Sequence, residues 1–474
     1  MKNVLLLFTD QQRSDTIGAL GNSVIQTPAL DSLAADSAVF TRCYTPSPVC
    51  VPARLCMMQG VYPNRSGCND NADGFRYTGK TLYERFSEQG YTTMGIGKMH
   101  FPCDPYGLHG FSQRKTQEEL AAPQDDYYQY LVQNGYNEVF DYNGQRSEMY
   151  YIPQISRLPQ KDHPTQWVGD QAVKFLKKQP QEQPFFLMAS FIHPHPPFAP
   201  PIPWNKLYRR DLPKPFVPEE SQGLISYHNL LQNRYKGLSV GIDEHLLQVI
   251  KGFYYACVSF VDYQIGRIIA QLKERGMYED TVILFSSDHG ELLGDYNCLG
   301  KRTMLDAACN VPLLIKSGEG RCVRRDPASL VDIAPTLLSL AQIPYKKEDF
   351  DGVNLLEQRH EVVYSQFSSG DTGLYMVSSG EDKLIYSEAD RKYWYFNAFP
   401  EAHNAYRTGD ERICFLQKKL EEYRRCDCGP SVRADVAKEI ENCRQKPYQD
   451  YRQDHVYLYE KELAAMPEGY HIDL

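Results

Sequence analysis

Near the start of the chain, NVLLLF is an unbroken apolar run of strand length, and polar TDQQRSD follows it at once. A run that is apolar at every position suits a parallel strand buried on both faces. The layout recurs downstream, where DTVILFSSDHGE places Asp288 and His289 just past the apolar positions 282–285. Between them, GYTTMGIGKMHF reads as a short strand ending in Lys98 and His100, and PFFLMASFIHPHPPF as one ending in His193 and His195. Helical patterns separate these strands: TLYERFSEQG, and the long HLLQVIKGFYYACVSFVDYQIGRIIAQLKERG, which stops at Gly276. This alternation predicts an α/β fold, a large, mostly parallel, doubly wound sheet flanked by helices. Ligands bind such sheets at the carboxyl ends of the strands.

The segment 104–165, rich in Tyr, Gln and Pro, reads as a long insertion outside the core. After LVDIAPTLLSLAQIP the pattern changes, and EVVYSQF, LYMVSSG, DKLIYS and KYWYFNAF are short strand-like runs broken by turn residues. With the charged helix ERICFLQKKLEEYRR they predict a smaller C-terminal α+β domain carrying an antiparallel sheet, with the aromatic residues at 393–398 in its core. The expected division is 1–359 for the larger α/β domain and 360–474 for the C-terminal one.

Composition narrows the function. The 474 residues are 42% hydrophobic, enough for a large core, and carry a net charge of -9. Nucleic acid and anionic membranes demand a basic face, so neither is an expected partner. An anionic substrate has to be captured by a local basic cluster. The apolar run in MKNVLLLFTD is too short for a signal-peptide core, and no stretch approaches the roughly 20 residues that span a bilayer. The expected location is cytoplasmic, or periplasmic or secreted if a signal was removed. The 13 cysteines show no compact metal-binding spacing, CDC at 426–428 being too tight, and read as mostly reduced thiols.

Every predicted strand end delivers Asp, Gln, His or Lys, a set suited to a hard cation beside an oxyanion. Asp10, Gln11 and Asp288 offer oxygen ligands for Ca²⁺ or Mg²⁺, and His289 is compatible with Mn²⁺. Lys98, Lys301, Arg54 and the histidines can neutralise a tetrahedral anion and its leaving group. Plainer readings stand beside these. Asp10 and Gln11 could cap a helix near Ser14, although a second strand ends the same way at Asp288. Lys98 and Lys301 would be solvated by default, but Gly97 and Gly300 beside them allow close backbone approach to a ligand. His193 is as readily a satisfied structural histidine as a substrate-facing one. Cys56, Cys68 and Cys103 read as packing residues, and Asp262 as a solvated or salt-bridged acid.

CVPAR at 50–54, continued by LCMMQGVYPNRSG, resembles the signature of the type I sulfatase family of the alkaline phosphatase superfamily. The resemblance runs in family order through FTDQQ, GKMH, PHPPF, SDHGE, LGKR and VPLLIK. It implies that a formylglycine-generating maturation enzyme oxidises Cys50 to Cα-formylglycine. The aldehyde hydrate would attack sulfur in line, and its second hydroxyl would then lose a proton, expelling sulfate and restoring the aldehyde. A serine or cysteine lacks that second hydroxyl. The resemblance further implies Asp10, Gln11, Asp288 and His289 as ligands of one divalent cation, Ca²⁺ first, with Mn²⁺ or Mg²⁺ as alternates. Arg54 would hold the hydrated aldehyde, with Lys98 and His100 in contact and His100 as base for the elimination. His195 would protonate the leaving oxygen, and Lys301, Lys98 and His193 would bind substrate.

The implied activity is hydrolysis of a sulfate monoester, on a small molecule or, preferentially, a saccharide. Gln11 and His289 stand where many sulfatases carry Asp and Asn, and the combination also resembles phosphonate monoester and phosphodiester hydrolases of the superfamily, which is the alternative reading. A third, of a different class, is a non-catalytic anion- or sugar-binding protein with Cys50 unmodified.

Overall fold

The computed structural model describes residues 1–71, 74–209, 212–235 and 243–427. Its centre is an eight-stranded sheet, crossing from Gln113–Thr116 through Thr92–Gly97, Phe185–Pro194, Asn3–Asp10, Thr281–Ser287, Leu313–Lys316 and Ala38–Phe40 to Cys322–Arg324. All the strands run the same way except Leu313–Lys316, which pairs antiparallel with both its neighbours. The sheet is therefore mostly parallel, as the apolar runs predict.

The central strand Asn3–Asp10 explains why such a run is needed. Val4, Leu6 and Phe8 enter one core, with side chains of the helices Cys50–Gln59, Leu82–Glu88 and Ile333–Leu340. Leu5 and Leu7 enter the core on the other face, with the helices Pro28–Ala34, Pro164–Lys178 and Glu244–Glu274. Both faces are dry, and each large apolar side chain so buried contributes about 1.5–3 kcal/mol. The parallel register then aligns the carboxyl ends. Thr9 lies opposite Ser287, Asp10 opposite Pro194 and Gly97 opposite Ser190, so the polar residues beyond these strands converge on one edge.

Local side-chain and backbone signals close the helix ends. Thr81 and Glu84 form a reciprocal capping box at the start of Leu82–Glu88. Gly276, at φ 67°, follows the end of Glu244–Glu274 in the left-handed region. Asp262 is a correction. It is buried, and its carboxylate accepts from the N–H groups of Ala29 (3.1 Å) and Leu30 (2.7 Å), closing the start of a neighbouring helix.

The segment 104–165 also departs from expectation, because part of it is core. Gln113–Thr116 forms an edge of the sheet, and Tyr127, Leu131, Tyr142 and Leu158 pack with Trp167 and Val168. Tyrosine hides this in the sequence: the rings pack while the hydroxyls of Tyr127 and Tyr142 donate to the carbonyls of Asp162 and Glu118, each at 2.7 Å.

Beyond residue 360, an antiparallel meander of Val363–Phe367, Leu374–Ser378, Lys383–Ser387 and Lys392–Phe396 forms as expected. One face packs on the helix Glu411–Arg424. The other, including Trp394 and Phe396, packs on Tyr44, Val49, Leu292, Met304 and Cys309 of the larger part. Residues 428–474 of the expected C-terminal domain lie outside the described residues, as does the last cysteine of CDC. Among the described residues Cys43, Cys50, Cys56, Cys68, Cys103, Cys257, Cys309, Cys322 and Cys414 are free thiols, and no helix is long and apolar enough to cross a membrane.

Candidate active site

Cys50 is the first residue of the helix Cys50–Gln59, entered from extended Val49, and Pro52 sits in the first turn, where its missing N–H costs nothing. The side chain is buried at the carboxyl edge of the sheet. Its Sγ lies 3.2 Å from His289 Nε2, 3.3 Å from Lys301 Nζ and 3.8 Å from Asp10 Oδ1. Burial and the Asp10 charge push the thiol pKa up, but Lys301, Lys98 and His289 outweigh them and hold it well below the usual thiol value. The helix N-terminus favours negative charge at the same place.

Two buried carboxylates face this residue, each held from behind. Asp10 Oδ2 is 2.6 Å from Lys98 Nζ and 3.2 Å from Arg54 Nη2, and Asp288 Oδ2 accepts from Arg54 Nε at 2.8 Å. The remaining Arg54 donor goes to the Lys98 carbonyl (2.8 Å) and Ser190 Oγ (3.0 Å). Each Oδ1 atom is turned toward His289, at 3.8 Å from Asp10 and 3.7 Å from Asp288. Burial raises the Asp10 pKa, but Lys98, His195, Arg54 and Lys301 bring it well below the carboxylate range. Asp288 is shifted the other way, by burial and by the Asp10 charge.

Donor atoms of Asp10, Cys50, Asp288 and His289 all lie within 4.8 Å of one another. Two carboxylate oxygens and an imidazole nitrogen, with Arg54 and Lys98 occupying only the outer oxygens, fit one divalent cation. Gln11 flanks this set. At φ 68° it is strained, its N–H donates to Asp288 Oδ1 at 2.9 Å, and its Oε1 accepts from Lys301 Nζ at 2.6 Å. The Gln11 amide NH₂ donates to Glu291, whose carboxylate also accepts from Tyr151 OH (2.9 Å) and the N–H of Leu293 (3.1 Å). That contact fixes the amide with its oxygen toward Lys301.

The remaining sequence-predicted residues occupy different places. Lys98 is fully buried and bridges Asp10 to Glu119 Oε2 at 2.9 Å. At Gly97, φ 89°, the close approach is to the Ser190 carbonyl of the adjacent strand, which a Cβ would meet at 2.0 Å. His100, at φ 54°, is half-buried, its N–H donates to Glu118 Oε2 (3.1 Å), and Nδ1 has no protein partner among the described residues. His195 donates from Nδ1 to the Pro196 carbonyl at 2.7 Å, which leaves Nε2 to face Tyr150 OH (3.4 Å) and Glu119 Oε1 (3.8 Å). His193 stands apart, with Nδ1 2.9 Å from Thr165 Oγ1 and its ring stacked on His163. Burial, with the His195 charge, lowers its pKa to about 4.

The structure thus joins Asp10, Gln11, Cys50, Arg54, Lys98, Asp288, His289 and Lys301 in one network, with His195 reaching it through Glu119. Sequence reasoning missed Glu119, Arg146, Tyr150 and Tyr151, all from the segment read as an insertion. Glu291 was missed as well, although an acid two residues after the Asp288–His289 pair was a signal.

The sulfatase family model matches residues 2–343. An arylsulfatase of Clostridium perfringens is 29% identical over 460 residues, covering 88% of this chain and 93% of its own. Among solved structures, the phosphonate monoester hydrolase of Agrobacterium radiobacter superposes with a TM-score of 0.73 at 23% identity, covering 90% of this chain and 96% of that one. A protein solved with its substrate D-glucosamine-2-N,6-O-disulfate superposes with a TM-score of 0.69 at 19% identity, covering 93% and 98%. With the family match extending through the sheet and every strand end that builds the site, this chain belongs to the sulfatase family of the alkaline phosphatase superfamily, and it is a sulfuric ester hydrolase.

Proposed function

We propose that this sulfatase hydrolyses sulfate monoesters of saccharides, with residue 50 matured to formylglycine and one divalent cation held by Asp10, Gln11, Asp288 and His289. The carrying observation is the position of Cys50 Sγ, against Lys301 Nζ on one side and the carboxylate and imidazole donors on the other. Ca²⁺ is the first choice for the cation and Mn²⁺ or Mg²⁺ the alternates; it would supply charge stabilisation and a more acidic hydroxyl on residue 50. Matured residue 50 supplies a nucleophile that can be regenerated without water attacking sulfur, and a formylglycine-generating enzyme is the implied partner.

The chain's own residues then divide the work. Arg54 fixes both carboxylates and so the floor of the site. Lys98 and Lys301 offset the negative charge of the bound sulfate group. His195, with Nδ1 committed to the Pro196 carbonyl, presents Nε2 as the proton donor to the departing oxygen. His100 is the base that takes the proton from residue 50 when sulfate is released. Saccharide preference is supported by Glu119, Arg146 and Tyr150, which offer hydrogen-bonding groups and a ring beside His195, and by the likeness to the protein solved with a sulfated glucosamine.

Gln11 and His289 favour a second reading, the phosphonate monoester or phosphodiester hydrolase, since they lower the negative charge around the cation. The reading of a matured saccharide sulfatase is tested by mass spectrometry of the Cys50 peptide, joined to a panel of sulfated mono- and disaccharides assayed for free sulfate. Loss of the sulfur of Cys50 with turnover of at least one sugar sulfate above aryl sulfate supports it. An unmodified thiol in fully active protein would remove it.

A further inference from the structure

Two consecutive acids, Glu118 and Glu119, grip the turn after strand Thr92–Gly97 from the segment 104–165. Glu118 accepts the N–H groups of Met99 (3.0 Å) and His100 (3.1 Å). Glu119 sends one carboxylate oxygen to Lys98 Nζ and the other to Arg146 Nη2 (2.5 Å) and toward His195 Nε2 (3.8 Å). Its backbone is built into place, the Glu119 carbonyl accepting from Asn143 Nδ2 (3.2 Å), and the N–H and carbonyl of Glu118 bonding Asp125 and Tyr142 (2.7 Å each). An acid held this firmly in a site that binds an anion needs a reason.

Resting on the reading of His195 as proton donor, we propose that Glu119 is a positioning residue that holds the His195 imidazole, in its doubly protonated form, beside the Lys98 end of the sulfate site. A carbonyl can only accept, so the Nδ1 proton is fixed by Pro196 and the proton to be given away is the one on Nε2. That proton is carried only by the cationic ring, and the one carboxylate within ion-pair distance of Nε2 among the described residues is Glu119. Burial disfavours protonation of the ring most, Lys301 and Lys98 add to this, and Asp10 opposes it; the pKa stays below the usual imidazole value, and Glu119 offsets part of that fall. Glu119 itself stays ionised: burial raises its pKa, but Lys98, His195, Arg146 and His100 bring it well below the carboxylate range. Arg146 and Tyr150 complete the bracket, since Arg146 lies over the Tyr150 ring whose hydroxyl faces the same Nε2.

The test uses matured protein, a series of aryl sulfates of graded leaving-group acidity, and the variants Glu119→Gln, Glu119→Asp, His195→Ala and the Glu119→Gln/His195→Ala double variant. His195→Ala should lose most rate with the poorest leaving groups, roughly 10²-fold or more. Glu119→Gln should steepen the leaving-group dependence in the same sense, move the descending limb of the kcat/KM profile to lower pH by about one unit, and add no further steepening when His195 is absent. Glu119→Asp, keeping the charge, should recover part of the slope and serves if the Gln variant folds poorly. A uniform loss across all leaving groups with an unmoved pH profile, while His195→Ala still steepens the slope, overturns the role of Glu119 alone. A flat response in His195→Ala instead overturns the donor reading, and the proposal with it.

Discussion

At the scale of single residues, the site is defined by which charges are buried together. Arg54 is the pivot, since its guanidinium touches both Asp10 and Asp288. Arg54→Ala leaves two carboxylates in a dry edge of the sheet, and breaking buried pairs of this kind costs about 3–5 kcal/mol. The expected result is a large fall in chemical-denaturation stability together with loss of turnover, and an unchanged midpoint would contradict it. Cys50→Ser separates the two halves of the reaction. A serine has one hydroxyl, so it can accept the sulfuryl group but cannot release it by elimination; one equivalent of sulfated protein is expected by intact-mass measurement, with no steady turnover. Repeated turnover by that variant would contradict the part given to residue 50.

At the scale of elements, strand ends set the chemistry and helix ends set part of the pH response. Burial raises Asp262 and Asp125 to a pKa of about 7, from a usual 3.8. Between these values the native state holds more protons than the unfolded chain, so each group's contribution to stability falls as pH rises through that window. Asp262→Ala should cost about 1 kcal/mol through the lost helix cap. It should also flatten the decline between pH 3.8 and about 7, read from denaturation midpoints across pH; an unaltered slope would contradict this. The same elements show what was legible beforehand. Asp10, Asp288, Lys98 and His195 could be read because a parallel strand buried on both faces announces its own end, and family-ordered motifs joined those ends. Glu119, Tyr150 and Tyr151 could not, because their segment packs through tyrosine and is held by contacts distant in sequence, such as Tyr151 with Glu291. His193 read as readily structural as substrate-facing, and its Nδ1 is engaged by Thr165 and its ring by His163.

For the whole molecule, the proposed cation would link the site to the stability of the fold. Asp10 and Asp288 repel each other in a buried site, and a divalent ion binding only the native arrangement stabilises it by mass action. Dialysis against a chelator is expected to lower both activity and thermal midpoint, with Ca²⁺ restoring both, and Mn²⁺ or Mg²⁺ tested beside it. A midpoint insensitive to chelator and to added ions would contradict the cation site. Attack on sulfur in preference to phosphorus is tested by comparing kcat/KM for an aryl sulfate, an aryl phosphodiester and an aryl phosphonate monoester, using matured protein with Cys50→Ala as control. The expected result is that the sulfate is the preferred substrate and that the control is inactive. Preference for either phosphorus ester, or undiminished turnover by Cys50→Ala, would contradict it.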